Sequence, residues 1–173
     1  MQMTNKPTPW RRFWARYFDF YLHAIVLGGM WAVIDYESIN KVDKYLLGFL
    51  IMVVYFIADG TYMAYFGTTL GKKLMKINVM NQGGSKIARV DAYKRSRLVW
   101  LRGMGLGIGI IELIANIIGY SNLKRDGVTS WDRDLELRVT YGKISWPRYL
   151  VCPAILICVS VLIIYGMIAG DSL

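Results

Sequence analysis

Cysteine, histidine and acidic residues are all scarce in this chain of 173 residues. There are two cysteines, Cys152 and Cys158, and a single histidine, His23. The cysteines stand six apart in one apolar stretch, where a helix turns them to different faces. A disulfide framework is therefore excluded, and so is a zinc site of His and Cys ligands. Acidic residues number 12 against 21 Lys and Arg, a formal net charge of +9. Only 19% of the chain is charged, below the ~25% of soluble domains, while 55% is hydrophobic and the mean hydropathy is +0.34. That aliphatic and aromatic content excludes disorder. The positive charge flanks apolar runs instead of forming one basic face on a soluble fold, which sets nucleic acid aside and points to anionic lipid.

The apolar residues gather into four blocks, about 13–34, 45–66, 98–119 and 149–170. Each is near the ~20 residues a helix needs to cross a bilayer, so the expected fold is an α-helical integral membrane protein with three to four transmembrane helices. The first block is read as a retained helix, because Asp19 interrupts its start and bulky Met30, Trp31 and Tyr36 occupy the place of a cleavage site. Lys6, Arg11, Arg12 and Arg16 precede or open it, and eight Lys and Arg lie between Gly67 and Arg97. The connection between the first two blocks has only Lys41 and Lys44, beside Asp35, Glu37 and Asp43. Such a bias places the N-terminus and the long basic segment on the cytoplasmic side.

The third block has two readings. If it crosses, Lys124, Arg125, Arg133, Arg138 and Lys143 fall outside, against the charge rule. If it enters and returns as a re-entrant hairpin, they stay cytoplasmic. Gly103, Gly105, Gly107 and Gly109 supply a place to break, although the same glycines could form a close-packing helix face. The strand pattern favours the return. Asp134 to Tyr141 alternates apolar and polar, Lys76 to Val79 alternates as well, and residues 81–85 read as a turn. These segments can pair into a small cytoplasmic two-stranded β element only if both lie on one side.

Charge recurs inside the blocks. Arg12, Arg16, Asp19 and His23 are spaced to fall within about 60° on a helix and run along roughly 16 Å of it. An ionised aspartate is costly against lipid, so Asp19 is expected to pair with Arg12 or Arg16, while Arg11 and Arg16 can snorkel to headgroups. Asp59 in the second block and Glu112 in the third are candidates, with His23, for an ion path, or else static helix glue.

Several of these residues resemble the RDD family of small bacterial membrane proteins, over about residues 8–142. Arg12-Phe13-Trp14-Ala15-Arg16-Tyr17-Phe18-Asp19 is similar to the family's arginine followed seven residues later by aspartate. Thr69-Leu70-Gly71-Lys72-Lys73-Leu74-Met75-Lys76-Ile77-Asn78-Val79 resembles its motif after the second helix, Arg95 matches an arginine before the third apolar region, and Trp131-Asp132-Arg133 resembles the segment holding the second aspartate. The chain departs from the family in Trp131, where glycine or histidine is usual, and in Asp134-Leu135-Glu136. Residues 143–173 add a further C-terminal transmembrane helix outside the RDD-like domain.

The resemblance implies a multi-pass protein of the bacterial plasma (inner) membrane, with Arg12, Asp19 and Asp132 in one cytoplasmic-side polar network and Thr69, Gly71, Lys72 and Arg95 in motif positions. Transport of an ion or small polar solute, through a homo-oligomer, is the expected function. The alternative is a non-transporting membrane partner that docks a protein or anionic lipid through its basic loop. No enzyme, cofactor or metal is expected, because no nucleophile with its base and no complete phosphate loop is present: Gly71-Lys72-Lys73 lacks the second glycine and the hydroxyl after lysine.

Overall fold

A computed structural model of the chain describes residues 3–4 and 7–170. Lys6, counted in the charge bias, lies outside the described residues. Strand β1 (Met3–Thr4) leads into α1 (Pro9–Ile34), α2 (Tyr36–Lys41) and α3 (Lys44–Phe66). After α3 come α4 (Leu70–Leu74), β2 (Ile77–Met80), α5 (Arg89–Gly103), a short 3-10 turn (Gly105–Gly107) and α6 (Gly109–Asp126). The chain ends through α7 (Ser130–Asp134), β3 (Arg138–Gly142) and α8 (Trp146–Gly170).

Local chemistry sets these boundaries. Pro9 opens α1 where its missing N–H costs nothing. The Asp43 carboxylate accepts from the backbone N–H groups of Tyr45 and Leu46 to cap α3, and left-handed Gly67 ends it. Among the described residues, α1 and α3 are long and apolar enough to cross a membrane, and α8 is apolar over Trp146–Val161. Their outer turns are bare: Val33 and Ile34 on α1 and Tyr45 on α3 are each more than three-quarters exposed. So is much of α6, where Ile110, Ile111, Leu113, Ile114, Ile117 and Ile118 all face outward. Apolar surface of that extent marks contact with lipid or another chain.

The third block breaks where its glycines alternate. Helix α5 stops at Gly103 and α6 starts at Gly109, with Leu106 at φ 59° and Gly105 at φ 54° between them. A Cβ on Gly105 would lie 2.6 Å from the Glu112 nitrogen and the Ile111 carbonyl, so only glycine allows this close a return. The expected strand pair forms across the two helices, with Ile77 opposite Tyr141 and Met80 opposite Arg138, antiparallel. Two details differ from the sequence pattern. A third strand, β1, joins the other edge of β3, pairing Met3 with Gly142 and Thr4 with Tyr141. The alternation from Asp134 becomes strand only at Arg138, because Ser130–Asp134 is helical and Glu136 turns the chain at φ 51°. Leu135 and Leu137 are instead drawn onto Met63, Val79, Ile87 and Ala92.

The core sits at the sheet end. Ala15 of α1, Met75, Ile77, Tyr141 and Cys152 of α8 form one buried cluster, and Val139 packs on both this cluster and that of Met63. A third cluster, Met52, Tyr55 and Met104, lies between α3 and the hairpin break.

Candidate functional site

Charged side chains from five elements converge beside this core. Asp132 is fully buried on α7. Arg12 Nη1 donates to its Oδ2 at 2.6 Å, Arg95 Nε donates to its Oδ1 at 2.8 Å, and the Thr129 hydroxyl donates to Oδ2 at 2.7 Å. Arg12 also donates to the Tyr141 hydroxyl, with its guanidinium beside that ring. One carboxylate thus ties α1, α5 and α7 together, Arg12 extends the tie to β3 through Tyr141, and both cations are themselves mostly buried.

Burial by itself would raise the Asp132 carboxyl, but Arg95, Arg12 and the Thr129 hydroxyl outweigh it and hold the group at about 2, against an ordinary 3.8. A depressed folded-state value gives stability that is present above the unfolded value and lost as the pH falls through the folded one. The loss should therefore run from about pH 4 to pH 2 and amount to about 2 kcal/mol. Thermal unfolding of purified protein followed through that window checks this; a flat profile contradicts it.

Asp19 lies elsewhere. Its carboxylate, 1% exposed, accepts the Thr69 hydroxyl at 2.5 Å and the Gly71 backbone N–H at 2.7 Å. The expected pairing with Arg12 or Arg16 is not made, because α4 brings the first-turn donors of a second helix against α1 and they satisfy the carboxylate instead. That approach is close enough that a Cβ on Gly71 would sit 2.2 Å from the Ala15 carbonyl oxygen. Asp59, also buried, pairs with Lys72 Nζ at 2.5 Å, and the same ammonium reaches the Thr69 hydroxyl oxygen at 3.3 Å. Asp19, Thr69, Lys72 and Asp59 form one continuous chain of contacts. A cavity of about 30 Å³, the size of a water molecule, separates it from the Asp132 cluster, with Tyr55, Asp59, Lys72, Arg12 and Arg95 among its walls.

The remaining candidates are dispersed. His23 Nδ1 lies 2.6 Å from the Asp19 carbonyl one turn back, and its ring packs against Tyr55 and Tyr62. Glu112 accepts the Tyr17 hydroxyl, which is also bonded by Asn116 at 3.2 Å. Neither joins the cluster. Arg16 donates to the Gly103 carbonyl at 2.9 Å, and its guanidinium lies 5.4 Å from the Trp131 ring. Arg11 is the largest departure from expectation: it is 7% exposed and donates to the backbone carbonyls of Met75 and Gly142. It ties strand ends together and is no headgroup anchor, because the sheet folds back over the first turn of α1. Sequence reasoning missed Thr129, Tyr141 and the role of Arg11. Of these only Thr129, three residues before Asp132, carries a local signal, as a side chain able to bond the residue it precedes.

Helices too apolar for water, a small sheet at one end and a buried, hydrogen-bonded charge cluster where they meet define a mostly helical membrane protein. A family model confirms the class: the RDD family model matches residues 6–136, and the chain belongs to the RDD family. No curated protein and no solved structure matches the chain.

Proposed function

We propose that the chain carries an ion or small polar solute across a bacterial plasma membrane, without catalysis, as a homo-oligomer with its N-terminus cytoplasmic. The single observation that carries this reading is the chain Asp19, Thr69, Lys72, Asp59. Two buried carboxylates are linked through a hydroxyl and an ammonium, next to a cavity of about 30 Å³ that Arg12, Arg16 and Arg95 also line. An ammonium held by a carboxylate and a hydroxyl occupies the coordination place of a monovalent cation or a proton. Displacing Lys72 would free Asp59 and the Thr69 hydroxyl that joins it to Asp19, and returning it would expel the ion. The Asp132 cluster is the fixed frame on which that exchange acts. Few spanning helices make a poor pathway alone, and the bare outer turns of α1 and α3 offer a surface for a second copy.

In this reading α5 and α6 enter and return, because β2 and β3 pair. Ser130 is then cytoplasmic. With Cys152 and Cys158 replaced, a cysteine at Ser130 is expected to resist an impermeant thiol reagent applied to intact cells and to react in inverted vesicles; labelling from outside rejects the topology.

A second reading rests on the exposed Lys73, Lys86, Arg89, Lys94 and Arg97, a basic surface suited to anionic lipid or an acidic partner. Asp19→Asn separates the two. The amide oxygen still accepts from Gly71 and the Thr69 hydroxyl can turn to accept from the amide, so the fold is kept while the charge is lost. Transport predicts that counter-ion flux in reconstituted vesicles falls by about tenfold or more at unchanged protein yield. Equal flux in variant and wild type excludes a carrying role for Asp19.

A further inference from the structure

A larger cavity, of about 350 Å³, shares Arg12, Arg16 and Trp131 with the small one and opens between the first two turns of α1 and the length of α6. Its walls are almost wholly apolar: Phe13 from α1, Leu113, Ile117 and Leu123 from α6, and Trp131 from α7. The mouth carries Trp10 and Tyr120, ring centroids 6.1 Å apart and edge-on, with Trp10 54% exposed. Aromatic side chains of this kind sit at the level of lipid headgroups. Next to them, the exposed apolar face of α6 leaves the groove open from the hydrocarbon side.

Two guanidiniums line this groove, and they differ. Arg12 is neutralised by Asp132. Arg16 has only the Gly103 carbonyl and the Trp131 ring, and among the described residues no carboxylate lies within 4.0 Å of it. Around the neighbouring small cavity, Arg12 and Arg95 share Asp132 and Lys72 takes Asp59, so Arg16 is the cation left without a counter-charge. A partly buried cation among apolar walls is stabilised by an anion that can follow it there, and an amphiphilic anion alone can also fill the walls.

We infer that the α1–α6 groove binds a long-chain carboxylate, its tail laid along Leu113 and Ile117 and its head paired with Arg16. A single chain is specified because the volume stands at the lower end of the ~300–1,000 Å³ of ligand pockets, too little for a two-chain lipid. The planar fork of arginine matches a carboxylate with two parallel bonds, which the Gly103 carbonyl leaves room to form. This site is separate from the carboxylate chain proposed to carry the ion.

The test uses the full chain in zwitterionic nanodiscs and a brominated stearate, which quenches tryptophan fluorescence on contact. Saturable quenching is expected at one site per chain, reduced in Trp131→Phe and absent from Trp131→Phe with Trp10→Phe. Arg16→Gln should weaken it about tenfold or more, since a charge-assisted pair is lost. The brominated methyl ester, having no charge, should bind wild type about tenfold more weakly or worse. Leu113→Phe with Ile117→Phe, both outward positions on α6, should block the groove without touching Arg16. If Arg16→Gln does not fold, the ester and the blocked variant decide the matter. Quenching that never saturates, that is equal for acid and ester, or that survives the blocked groove overturns the site. Equal displacement by a two-chain anionic phospholipid overturns the choice of a single-chain carboxylate.

Discussion

Gly71→Ala is expected to prevent folded protein from accumulating. The added methyl would stand 2.2 Å from the Ala15 carbonyl oxygen and 2.9 Å from Asp19 Oδ2, and the nearer of these is backbone inside α1. Backbone cannot rotate aside as a side chain can, so α4 must move off α1. That movement also removes the two hydrogen bonds that satisfy the buried Asp19 carboxylate. Overpacking commonly costs ~1–3 kcal/mol, and an unsatisfied buried carboxylate adds to it, so a total of about 3 kcal/mol or more is expected, a large part of a marginal stability. Yield of monodisperse protein in detergent measures the effect. Gly29→Ala is the control, since a Cβ there meets nothing within 4 Å. Equal yields of the two variants contradict the close approach.

Asp132→Asn should cost about 3–5 kcal/mol, because it leaves Arg12 and Arg95 buried without a counter-charge. The sign of a second substitution distinguishes this cause from simple loss of packing. Arg95→Met alone should destabilise, but in the Asp132→Asn background it should restore part of the loss, because it removes one of the two stranded cations. Denaturation midpoints of the four proteins form the cycle, and strictly additive effects would mean that the two side chains do not share a network.

Much of the architecture was legible because a bilayer imposes a length, and the glycines at 103, 105, 107 and 109 identified the break within a residue or two. The strand from Arg138 was legible by alternation, yet its start was misplaced by four residues. The same alternation in Leu135 and Leu137 is produced by two side chains burying from a turn, and periodicity cannot tell the two apart. In the site, the spacing of Arg12 and Asp19 put them correctly on one helix but not with one another. Pairing along a helix is a local possibility, whereas the donors that took Asp19 come from Thr69 and Gly71, 50 and 52 residues away. Arg11 was beyond sequence reasoning for the same reason: its acceptors are backbone carbonyls, which every residue offers. Trp131, a departure from the family's usual residue, turns out to form the floor under Arg16 and a wall of the groove.

The ion pair that closes the fold joins residues 120 positions apart. At roughly 5–20 residues per second of synthesis, Arg12 leaves the ribosome on the order of ten seconds before Asp132 exists. Throughout that interval the first helix holds a cation with no mate, and β3 is still missing from the sheet. Chains that stop short of Asp132 should accordingly be open to proteolysis, and release of the nascent protein as a stable species is a late event that depends on its last quarter.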